Sequence, residues 1–140
     1  MRRTRTAWLG LVAGLALMGT VQAAVVGQWN GGGRTWDDSS FTQTRAAVVA
    51  AGHTIQPASA ITPAGLATVG TYIIFEPTTA PTAGELTALA AFVSGGGQLV
   101  VFGESSATPA VMTSIVAGSG GSMTWGASLN TTTVVLASPF

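Results

Sequence analysis

Gly103-Glu104-Ser105-Ser106-Ala107 approximates G-x-S-x-G, the turn that exposes a nucleophilic serine between a strand and a helix, with Ala107 standing for the last glycine. Ser105 is therefore the one candidate nucleophile. A serine hydroxyl attacks only when a base, normally a histidine oriented by an acid, takes its proton. The chain has a single histidine, His53, which lies well before Ser105, and neither a histidine nor an acidic residue follows Glu104. The machinery is incomplete, and no catalytic residue is expected within this chain.

The remaining groups with chemical potential cluster in three stretches. Trp29, Asn30, Arg34, Trp36, Asp37 and Asp38 lie in the first, Glu76 and Thr78 in the second, and Glu104, Ser105 and Ser106 in the third. Four of the five carboxylates beyond residue 23 fall in these stretches. Were they to converge into one rim of Trp29, Asn30, Trp36, Asp37, Asp38, Glu76, Glu104 and Ser105, the carboxylates Asp38, Glu76 and Glu104 could hold a hard cation such as calcium, or the carboxylates with the tryptophans could bind a saccharide. The plain alternative is that carboxylates and helix caps occur in loops anyway. His53 has no His, Cys or carboxylate neighbour at metal-ligand spacing. Gly31–Gly33 is not a phosphate loop, since neither G-K-[ST] nor a G-x-G-x-x-G helix opening is present. No cofactor is expected.

The elements that must position these groups alternate. Strands are expected over 24–30, 53–57, 70–75 and 99–102, then over 122–125 and 131–136. Helices are expected over 41–51 and 82–94 and over about nine residues from Thr108-Pro109, with a short connector over 61–67. Thr82-Ala-Gly-Glu85 is a capping box, and Gly52 and Gly95–Gly97 are helix stops. Pro57 places the second strand at an edge. Leu99–Phe102, an unbroken apolar run, reads as a central strand buried on both faces. The order β-α-β-(α)-β-α-β-α-β-β predicts an α/β, flavodoxin-like three-layer sandwich. Its sheet is mainly parallel, in order 2-1-3-4 with later strands beyond. The three chemical stretches then follow strands one, three and four and share the carboxyl rim, where open α/β sheets bind ligands.

Residues 1–23 read as a signal peptide: Arg2, Arg3 and Arg5, an apolar core over 7–18, then Val21-Gln-Ala23 with small residues at −3 and −1 of a cleavage site. The core is shorter than the ~20 apolar residues a spanning helix needs. Contact with a membrane is expected through this segment only. Residues 24–140 then form one small domain, and the abrupt ending at Ser138-Pro-Phe140 fits an incomplete one. That domain carries two arginines, no lysine and five carboxylates, a negative balance that excludes a nucleic-acid footprint. Cysteine is absent, which excludes a disulfide framework and a thiol nucleophile. Only 7% of the chain is charged against 47% hydrophobic, which suits a periplasmic, extracellular or cell-surface protein.

Three segments together carry a family resemblance: Tyr72-Ile-Ile-Phe75, the run PTAGELTALAAFVSGGG over 81–97, and Leu99-Val-Val-Phe-Gly103. They resemble the class I glutamine amidotransferase-like superfamily. The likeness is to its divergent, non-catalytic branch of trehalose-utilisation-type domains and exported bacterial surface-protein domains. The resemblance implies the same α/β fold over the first two thirds of such a domain. Where the family's nucleophile stands, just after the strand ending at Phe102, this chain has Glu104 or Ser105 in place of cysteine, and the downstream histidine and acid are missing. The expected function is an exported, non-catalytic binding or cell-surface module with a small-molecule or saccharide ligand or a cell-envelope partner. Two alternatives stay open: a serine hydrolase using Ser105 with a base outside this chain, and a structural domain of an envelope protein.

Overall fold

Thr82 and Glu85 show how local chemistry sets the elements. In the computed structural model, which describes residues 23–104, 108–122 and 131–136 and only the backbone of Glu104 and of 131–136, the Thr82 hydroxyl accepts from the Glu85 amide at 3.3 Å. The Glu85 carboxylate accepts from the Thr82 amide at 2.8 Å. This reciprocal cap starts helix α3, Ala83–Ser94, as the sequence predicts. Helices α1, Thr42–Ala50, α2, Pro63–Leu66, and α4, Pro109–Gly118, complete the helical set among the described residues. Gly52 and Gly96, both at positive φ, follow α1 and α3 and turn the chain back toward the sheet.

The strands are β1, Val25–Gln28, β2, Thr54–Ile55, β3, Thr71–Phe75, β4, Gln98–Glu104, and β5, Thr131–Leu136. They form one sheet in the order β2-β1-β3-β4-β5. The first four are mutually parallel, with Val26 beside Thr71 and Tyr72 beside Leu99, and β2 lies at the edge as Pro57 implied. β5 runs antiparallel to β4, pairing Leu99 with Leu136 and Val101 with Val134. The fold is the expected α/β arrangement with a mainly parallel sheet. The strand expected over 122–125 lies, apart from Ser122, outside the described residues, as do positions 1–22 of the leader segment.

Packing divides into two unequal layers. On one face Tyr72, Ile74, Leu99 and Val101 meet Leu89 and Val93 of α3 and Met112 and Ile115 of α4, nearly all fully buried. The burial of each such aliphatic side chain contributes about 1.5–3 kcal/mol. On the other face Val26 and Phe75 pack with Trp36, Phe41 and Val48, and Phe102 is only half-buried. The expectation that β4 is buried on both faces is thus corrected: Leu99 and Val101 are inaccessible, while Val100 and Phe102 keep some exposure. The reason is the distribution of helices: among the described residues, three pack on the first face, and the second has α1 and the Trp36–Phe41 segment.

Tyr72 crosses the first layer and donates its hydroxyl to the Ser59 carbonyl at 3.1 Å. Burial, assisted by the nearby Glu85 charge, pushes its phenol up to about 12 from 10.0. A proton held more tightly when folded stabilises fully below pH 10, and that contribution is lost as pH rises towards about 12. Tyr72 is the chain's single tyrosine and lysine is absent, so phenolate absorbance titrates this one group. Native protein is expected to titrate about two units above urea-unfolded protein, and Tyr72→Phe is expected to flatten the stability profile across that window.

Candidate functional site

The carboxyl ends of β1, β3 and β4 meet at Glu76. Immediately after β3 the backbone turns into the left-handed region at this residue, with φ of 44°, a conformation a non-glycine side chain adopts only under constraint. The constraint is visible on three sides. The Glu76 amide donates to the Phe102 carbonyl at 2.7 Å, and its carbonyl accepts from the Gly33 amide at 3.0 Å. The next carbonyl, that of Pro77, accepts from the Thr108 amide ahead of α4 at 3.1 Å. The side chain is buried, and its Oε1 lies 3.1 Å from Nε of Arg34.

The loop after β1 is shaped to reach that ion pair. Trp29 donates its amide to the Ile73 carbonyl and Asn30 to that of Ser59, continuing the parallel pairing for two residues. The chain then reverses so that Gly32 bridges Pro77 in antiparallel fashion, and the Gly33 amide also reaches the Phe75 carbonyl at 3.1 Å. A Cβ at Gly32 would collide with the Phe75 carbonyl oxygen, and one at Gly33 would stand 2.8 Å from that of Glu76. The glycine run therefore serves close backbone approach.

Arg34 also directs Nη1 to the Ser40 hydroxyl at 3.4 Å. Asp38 caps the 3-10 turn Ser39–Phe41 by accepting from the Ser40 amide at 2.8 Å. Hydrogen bonding from Ser40, with the Arg34 charge nearby, holds its carboxyl below the usual 3.8. Asp37 is exposed and pairs with Nη1 of Arg45 at 3.2 Å, a group that also donates to the Trp36 carbonyl.

The tryptophans depart from the expectation of an aromatic rim. Trp29 is buried in the larger core, and Trp36 is 4% exposed, set edge-on against Phe75 and Phe41. Their indoles are the largest apolar surfaces near the sheet end and are drawn into its two layers, so neither offers a stacking platform to solvent. Trp36 is held by Gln28, a buried polar residue on β1 whose Oε1 accepts from the Trp36 amide at 2.7 Å while Nε2 donates to the Gln56 carbonyl. Asn30 and Thr78 are exposed at the rim. Glu104 ends β4, with its side chain outside the description, and Ser105 and Ser106 lie outside the described residues. Among the described residues no three His, Cys, Asp or Glu side chains are grouped to hold a metal ion. Asp38 and Glu76 are each already engaged, by an amide and by a guanidinium.

Beside this rim an open groove of about 470 Å³ runs along α1 and β2, lined by Trp36, Asp37, Arg45, His53, Ile55 and Gln56, among others. Apolar walls of Val49, Ile55 and Pro57 alternate with hydrogen-bonding groups, the composition of a site for a small polar molecule with an apolar face. Trp36 and Asp37 were among the residues expected to form a site, whereas Arg45, His53 and Gln56 were not, since nothing in the spacing joins α1 to the second strand. Searches against protein-family models, curated proteins and solved structures found no match to this chain.

The Glu76 carboxylate depends on Arg34, and removing the guanidinium leaves a buried charge without that partner. Arg34→Ala is expected to lower stability by about 1–3 kcal/mol, less than a fully buried pair because Arg34 is partly solvated. Adding Glu76→Gln is expected to recover part of the loss, read from urea midpoints of the two single variants and the double.

Proposed function

We propose that this chain is an exported, non-catalytic binding or cell-surface module of the glutamine amidotransferase-like type, and that it takes a small polar ligand of the saccharide class. The observation that carries the reading is the groove between α1 and β2, where Asp37, Arg45 and Gln56 offer donors and acceptors over apolar walls. It runs along the seam between α1 and the edge strand β2, from His53 ahead of the strand to Pro57 beyond it, and reaches the carboxyl end of β1 at Gln28. The parallel order β2-β1-β3-β4, with helices on both faces, is compatible with the family resemblance. Export is in keeping with the leader-like residues 1–23 and the sparsely charged composition. Among the described residues no helix is long and apolar enough to cross a membrane. The likeness of fold supports no reaction on its own account.

A ligand that binds only the folded state raises the melting midpoint. Thermal melts of the protein against a panel of saccharides are expected to give a shift of about 3–8 °C at tenfold excess over Kd for the cognate class. The shift is expected to vanish in Asp37→Asn combined with Gln56→Ala. A shift that persists in that variant places the ligand elsewhere, and a panel without any shift removes the saccharide reading. Calcium is the parallel arm: a calcium-dependent shift that disappears in Asp38→Asn with Glu104→Gln would assign the rim carboxylates instead.

A further inference from the structure

The amino end of β1 carries a contact that the binding groove does not explain. The Ala24 backbone nitrogen donates to Nδ1 of His53 at 3.1 Å, and the Ala24 carbonyl accepts from the Thr54 amide at 3.0 Å. Val25 then pairs with Thr54 as the first parallel register position of the sheet. Among the described residues Ala24 is thus the first held by the sheet, while Ala23 before it is exposed. An imidazole that accepts at Nδ1 carries its proton on Nε2, so His53 is poised as an acceptor.

We infer that Ala23–Ala24 is a processing site and that His53 Nδ1 is the seat of the α-amine its cleavage creates. The inference rests on the export reading above. Hydrolysis of that peptide bond adds water across it: the carboxylate leaves with residue 23, and the nitrogen of Ala24 becomes an ammonium. That nitrogen is already in hydrogen-bond contact with His53, so the new terminus needs no rearrangement to be held. The donor changes from a neutral amide to a charged ammonium, which strengthens the bond. The consequence is a clasped end: β1 starts at the terminus without an overhang, and the amine is withheld from acylation and from exopeptidases.

The composition makes this directly measurable. Lysine is absent from the whole chain, so the processed protein has one primary amine, that of Ala24. The full chain is expressed with its own leader in a bacterial host, the exported product is purified, and its intact mass is measured. Native product is then treated with an N-hydroxysuccinimide acetate, and single acetylation is followed by mass. The expected result is a product beginning at Ala24 that acetylates about fivefold more slowly than His53→Ala, the factor corresponding to one ordinary hydrogen bond. His53→Gln, which keeps an acceptor, is expected to fall between them. Should His53→Ala fail to fold by circular dichroism, His53→Gln and urea-unfolded wild type serve as the fast references. A product that retains residues 1–23 overturns the export reading and the clasp together. A product that begins at any residue other than Ala24 near this site, or one whose amine reacts as fast as in the His53 variants, overturns the clasp and leaves export standing.

Discussion

The Arg34–Glu76 ion pair is the contact on which the carboxyl end of the sheet depends. A carboxylate buried at the end of β3 would be costly without a cation, and the Arg34 guanidinium beside it comes from the loop after β1, so the pair ties that loop to the sheet. The net contribution of such a pair to stability is modest, because both charges give up water to form it. Its importance is geometric: it requires the Gly32 and Gly33 backbone to lie against Phe75–Pro77, and it accompanies the left-handed turn at Glu76. The hydrogen bonds of Glu76 to Phe102 and of Pro77 to Thr108 extend the same constraint to β4 and to the start of α4.

Once that loop is fixed, the second layer follows. The chain leaves Arg34 with Trp36 directed into the sheet, where Gln28 binds its backbone and Phe75 and Phe41 pack its ring. Trp36 and the Asp38 cap deliver α1 to its position, and the gap between α1 and β2 becomes the groove. The side chains that line the groove are therefore arranged by an ion pair several residues away that does not itself line it. The larger layer beneath α3 and α4 is the more completely buried of the two and anchors the parallel strands independently.

The two ends of β1 are held differently. At its carboxyl end the strand runs into an ion-paired, glycine-rich loop, and at its amino end it is held by an imidazole and by a ladder hydrogen bond to Thr54. Since β1 lies between β2 and β3, securing both of its ends secures the register of the half of the sheet that borders the groove.

Fold and order were legible in the residues themselves. Alternating β and α patterns, the capping box at Thr82–Glu85, the glycine stops and the edge-marking Pro57 all act within a few residues of chain, so local physics suffices to read them. The positions of the rim stretches at strand ends were legible for the same reason. What depended on tertiary structure was every pairing across a long separation. Burial of Trp29 and Trp36, the partnership of Arg34 with Glu76, the antiparallel direction of β5 and the half-exposed face of β4 depend on which surfaces meet. Residue type announces that a tryptophan or a carboxylate will seek a partner. Only the packed chain decides which one it finds.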